Sequence, residues 1–132
     1  MTLAANALQS AIFARLTGQL GPTPVYDFVP QDSAFPYVVI GADTSVPADT
    51  KTNDGQEFTL TIHVWDKAAG RKSVKTTMEA VYTALHNHPL AVTGFSTVIL
   101  RCEYAETMQE QAEGEGDHYY HGVLRFRAVV RN

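Results

Sequence analysis

A chain of 132 residues, 45% hydrophobic and 18% charged, has the length of one domain (residues 1–132) and enough apolar material for one core, which argues against wholesale disorder. Its formal net charge of -4 supplies no general attraction for nucleic acid, whose binding is usually driven by Lys and Arg contacts to phosphate. No apolar run approaches the roughly 20 residues needed to cross a bilayer, and no basic segment followed by an apolar one opens the chain, so synthesis and use without export or membrane are expected.

In chain order, Leu3, Ala7, Leu8, Ala11, Ile12, Leu16 and Leu20 recur at helical spacing and predict a first helix. Thr2 is its candidate N-cap, and Gly18, Gly21 and Pro22 are its stop signals. Pro22, Pro24, Pro30 and Pro36 fix their own φ and push each preceding residue toward extended backbone, which predicts an irregular arm. Such an arm is stiff enough to suit docking. Residues 37–42, short and β-branched between Pro36 and Asp43, predict a strand. Residues 43–55, rich in Thr, Ser, Pro, Asp, Asn and Gly, predict a long mobile loop.

Residues 56–65 alternate Phe58, Leu60, Ile62 and Val64 against Thr59, Thr61, His63 and Trp65, the pattern of a half-buried strand. Val74, Met78, Val81 and Leu85 predict a second helix, with Ser73 as cap and Asn87, His88 and Pro89 as stops. Two more strands are expected: 97–104, alternating Val98, Leu100, Cys102 and Tyr104, and 119–130, alternating Tyr120, Leu124, Phe126, Ala128 and Val130. They predict an antiparallel hairpin whose connection, 105–118, is a protruding loop or a ribbon with a mobile tip. The order helix, strand, strand, helix, strand, strand predicts an α+β fold: a mainly antiparallel four-stranded sheet with two helices packed against it.

Catalytic and metal chemistry find little purchase. The one cysteine, Cys102, excludes an internal disulfide and a cysteine-rich zinc site, and it falls on the apolar side of its strand, where thiols are usually inert. Of the five histidines, His86 and His88 follow the second helix, and His118 and His121 are an odd step apart on a strand and point to opposite faces. Ser33, Ser45, Ser73 and Ser96 lack a nucleophile elbow, and no glycine loop suits a phosphate. No enzyme activity and no cofactor are expected.

Charge is more informative. Glu106, Glu110, Glu113, Glu115 and Asp117 cluster with no Lys or Arg between Cys102 and Leu124. They read either as a solvated hairpin tip or as an interface loop; in a multimer they could also form a negative rim past which DNA moves without sticking. Lys67, Arg71, Lys72 and Lys75 form an opposite cluster at the start of the second helix, as a solvated patch or a docking surface for an acidic neighbour. Arg125, Arg127 and Arg131 share the polar side of the last strand with His121, opposite Arg101 and Glu103, and read as cross-strand pairs or protomer contacts. Trp65, on the polar side of its strand, fits an interface anchor.

The stretch Val25-Tyr26-Asp27-Phe28-Val29-Pro30-Gln31-Asp32-Ser33-Ala34-Phe35-Pro36-Tyr37-Val38-Val39-Ile40-Gly41 is followed in order by Asp54-Gly55-Gln56-Glu57, His63-Val64-Trp65 and Tyr120-His121-Gly122-Val123-Leu124-Arg125-Phe126. In order and spacing these segments resemble the tail terminator (tail completion) proteins of long-tailed phages and gene transfer agents, over nearly the whole chain. The resemblance implies a virion structural protein of the tail-neck region, assembled in the host cytoplasm. It implies a ring of six copies that binds the last ring of tail tube protein on one side and head-completion or connector proteins on the other. The surfaces expected to meet neighbours are the loop residues Asp49, Lys51, Asn53 and Asp54, Trp65, the cluster from Lys67 to Lys75, and the acidic residues from Glu106 to Asp117. Another neck component is the nearest alternative, and a small ligand-binding α+β domain a more distant one.

Overall fold

The computed structural model describes residues 3–110 and 118–132. Its elements are α1 (Ala5–Gln19), β1 (Val25–Tyr26), β2 (Tyr37–Pro47), β3 (Gly55–Ala68), α2 (Lys72–Leu85), β4 (Ser96–Glu110) and β5 (His118–Arg131). The α+β class is as expected. The sheet, however, has five strands in the order β1-β2-β3-β5-β4, and β1 runs parallel to β2. The extra strand comes from the proline arm, where the Val38 N–H donates to the Pro24 carbonyl at 2.9 Å. Pairing this short depends on a neighbouring strand already in place, so local periodicity does not announce it.

Both helices cover one face of the sheet, α1 over β1 and β2, and α2 over β3, β5 and β4. That face supplies Val38, Ile40, Phe58, Leu60, Ile62, Val64, Leu124, Phe126, Ala128 and Val130 to a single apolar cluster. On α1 the buried stripe is Ala4, Leu8, Ile12, Leu16 and Leu20. Leu3, expected in that stripe, precedes the helix and is 74% exposed. Gly21 takes a left-handed φ of 61° just after the C-cap, so it is the glycine that ends the helix, while Gly18 lies inside it. Thr2 falls outside the described residues; the buried Ala4 N–H donates instead to the Gln56 Oε1 of β3, at 3.0 Å. On α2, Val74, Met78, Val81 and Leu85 are buried as expected. Gly122 of β5 lets that helix approach closely, because a Cβ there would lie 2.4 Å from the Met78 Sδ.

Three boundaries differ from expectation. β2 runs on to Pro47, which is paired with Gln56, so the predicted loop over 43–55 contracts to a turn. Within that turn the Gly55 N–H donates to Asp49 Oδ1 (2.9 Å) and the Thr50 N–H to the Asn53 carbonyl (2.8 Å). β4 likewise runs past Tyr104 to Glu110, paired with Tyr119, so the start of the 105–118 connection takes the ribbon form, one of the two expected for it. Register shifts in β4 between Thr97 and Ile99 and between Cys102 and Tyr104 break the simple alternation, and Tyr104 ends opposite Arg125, on the face away from the helices. Finally, α2 begins at Lys72 with Arg71 at its N-cap and no side-chain cap, so Ser73 is not the cap.

Candidate assembly surfaces

The sheet face not covered by helices carries β3 and β5 side chains of opposite parity to the core. There Trp65 stacks on His121 with ring centroids 3.9 Å apart and planes 9° apart. His63 Nδ1 lies 2.7 Å from His121 Nε2, and His121 Nδ1 lies 3.2 Å from Glu110 Oε1. With Glu110 as carboxylate, His121 donates from Nδ1 and accepts from the His63 Nδ1–H. Burial, and then the neighbouring His121, hold the His63 pKa below its ordinary value of 6.5. Trp65 is therefore half-buried and engaged within its own sheet.

The same face carries the arginines. Arg127 donates to Glu57 across the β3 and β5 pair, Arg125 lies over the Tyr104 ring at 5.0 Å, and the Tyr104 hydroxyl donates to Glu106 at 2.5 Å. Arg131 donates from Nη1 to the Ala48 carbonyl at 2.6 Å. Cross-strand pairing thus accounts for part of the polar face, while Arg101 sits in register beside Arg127.

The expected interface residues divide between the two ends of the sheet. Asp49, Lys51, Asn53 and Asp54 cap one end, at the β2–β3 turn, where the Asp54 carbonyl accepts from the Asn132 N–H at 3.0 Å. At the other end Lys67 and Glu110 both lie in register with Tyr119. Of the acidic residues, Glu110 therefore shares one end of the sheet with Lys67, about two strand spacings, or roughly 10 Å, away. Lys67 lies over the Tyr119 ring at 5.6 Å and Arg71 over the Tyr120 ring at 5.5 Å. Lys72 and Lys75 also fall in the first turn of α2, where cations oppose the helix dipole by about 0.3–1 kcal/mol each. Glu113, Glu115 and Asp117 lie outside the described residues.

His86 and Cys102 meet where the segment after α2 crosses β4. His86 accepts the Cys102 N–H on Nδ1 at 3.0 Å and stacks on Tyr82. No group of three metal-ligating side chains converges among the described residues. Cys102 is partly buried, and burial chiefly pushes its thiol pKa up.

Sequence reasoning missed several residues. Phe28 is 87% exposed on the arm, an unusual placement for an aromatic beside a strand. Tyr82 and Tyr104 are exposed near the β4 edge. Gln56 and Asp66 are buried polar residues; Asp66 Oδ1 accepts the Lys67 N–H at 2.8 Å, and its Oδ2 has no hydrogen-bond partner among the described residues. Alternation could have flagged Gln56 and Asp66, since both share parity with Phe58 and Val64.

The sheet thus carries helices on one face and polar and aromatic side chains on the other, and similarity to known proteins gives this arrangement its family. The profile of the family described as "Tail completion protein gp17" matches residues 5–131. The chain belongs to that family. One relative, the tail completion protein gp17 of Bacillus phage SPP1, is 30% identical over 137 aligned positions, covering 98% of this chain and 96% of the relative. A solved structure, the virion of a native gene transfer agent particle, contains a chain that is 25% identical, with a TM-score of 0.83 and full coverage of both chains. This member of the tail completion family is a virion structural protein of the phage-tail type.

Proposed function

We propose that six copies of this chain, each acting as one tail-completion domain, close into a ring on the finished tail tube in the neck of the particle. The ring occupies the surface that the next tube ring needs and presents a different surface to a head-completion or connector protein. The action is steric and geometric, without catalysis or cofactor, and DNA passes through the ring without specific binding. Assembly takes place in the host cytoplasm. The observation that carries this reading is the end-to-end family match together with the full-length fold match to a chain of a virion particle.

A head-to-tail ring needs two different complementary patches on every protomer. The interface residues expected from sequence remain candidates for those patches and for the tube and head contacts. Deleting the gene from the producing element and imaging particles by negative-stain electron microscopy tests the role. Overlong or length-scattered tails separated from filled heads are expected; normal-length tails on intact heads would remove the proposal.

A further inference from the structure

Two apolar features are left unexplained by the fold: the exposed Phe28 of the arm and a groove beside β4. The arm leaves from β1 at one edge, and a groove of about 370 Å³ lies between α2 and β4 at the other. Four strand spacings, roughly 19 Å, separate those edges. Phe28 does not reach the groove of its own chain, as its 87% exposure shows. Resting on the ring reading above, we propose that the Phe28 arm of one protomer docks in the α2–β4 groove of the next.

The arm is preorganised for this. Pro24 and Pro30 restrict its backbone, and the Ser33 hydroxyl donates to the Tyr26 hydroxyl at 3.1 Å. Phe35 is braced between Tyr37 and Tyr119, with ring centroids 5.2 and 5.6 Å away. A braced loop that displays one aromatic loses little freedom on docking. Phe28 has the size and apolarity of an interface anchor.

The groove is floored by Met78 and Leu124 and walled by Tyr82, with Lys75, Glu79 and Glu106 at its rim. Glu106 is already engaged by the Tyr104 hydroxyl at 2.5 Å. Lys75 forms no ion pair among the described residues, and neither does Asp27, the residue before Phe28. Seating Phe28 brings Asp27 to Lys75, an opposite-charge pair that the single chain does not form among the described residues. β4 is also the sheet edge, with no strand on its outer side among the described residues. The segment after α2 covers its first half, through the Asn87 N–H to the Leu100 carbonyl (2.7 Å) and the Cys102 N–H to His86 Nδ1 (3.0 Å). The half that lines the groove pairs with no further strand among the described residues and can receive the arm. Arm and groove are different surfaces, so the contact is heterologous and propagates around a ring.

The test uses the full chain, with folding followed by circular dichroism and assembly by sedimentation over a concentration series. Phe28→Asp removes the arm's anchor and, at 87% exposure, is expected to melt like the wild type; Tyr82→Asp fouls the groove and, because it gives up the stacking on His86, is expected to melt lower. Each alone is expected to weaken self-association about tenfold or more. Mixed together they retain one intact arm and one intact groove, and are expected to form 1:1 dimers and nothing larger. Lys75→Glu is expected to weaken association, and the double variant Asp27→Lys with Lys75→Glu to restore it, which keeps the test open if Tyr82→Asp misfolds. Single variants that assemble like the wild type overturn the docking and leave the ring reading standing. A folded wild type that stays monomeric at every concentration overturns the docking as a contact strong enough to join free copies, and leaves standing the ring reading, in which the copies close on the tube.

Discussion

His63 shows how a side chain on an open sheet face acquires a pH dependence. It is half-buried against His121, which is itself held by Glu110, and burial followed by the neighbouring imidazole lowers its pKa in the fold. In the unfolded chain it returns to about 6.5, so between the folded value and 6.5 the unfolded state binds more protons. The contribution of His63 to stability is then fully present above about pH 6.5 and is lost as the pH falls below it. The urea midpoint is expected to drop between about pH 7.5 and 5.5, and His63→Gln to flatten that drop. An unchanged slope in the variant would assign the acid sensitivity to other groups.

At the scale of elements, the two helices are fixed to the sheet by contacts from far along the chain. Gln56 of β3 accepts the N–H of Ala4 at the start of α1, and Arg15 of α1 donates from Nε to the Ala84 carbonyl of α2 at 2.9 Å. The Ala4 N–H is therefore satisfied by tertiary structure, and α1 has no side-chain cap. Gln56→Leu strands a buried N–H and is expected to lower the unfolding free energy by about 1–3 kcal/mol, measured by chemical denaturation. A loss below a few tenths would mean that another group takes over the cap. Strand ends follow the same logic. Residues 43–47 carry turn-forming composition, yet they are strand because β3 offers a paired edge on which Thr44 meets Thr59 and Val46 meets Glu57.

For the whole molecule, the distribution of charge matters more than its sum. The basic residues Lys67, Arg71 and Lys72 and the acidic residue Glu110 belong to one end of the sheet, while the β2–β3 turn occupies the other. A single end that carries both signs can present complementary charge to a neighbour and also partly compensate itself. Reversing Lys67, Arg71 and Lys72 to Glu is expected to leave the monomer folded, since exposed ring contacts of this kind contribute only about 0.5–1 kcal/mol each. The same change is expected to impair ring formation, read by sedimentation of the variant beside the wild type. Normal assembly of that variant would remove the basic cluster from the interface.

The sequence by itself determined the class of fold, both helices, the core face of β3 and β5, and the family. Periodicities of two and of 3.6 report which side of an element is buried, and these elements are long enough to show them. Order and spacing of short segments carried the resemblance. Tertiary structure alone decided the β1 pairing, the length of β2, the parity change at Tyr104, the cap from Gln56 and the exposure of Phe28. Each of these depends on a partner distant in sequence. Hydrogen-bond satisfaction and packing against such a partner override local propensity, and no local pattern encodes where the partner will be.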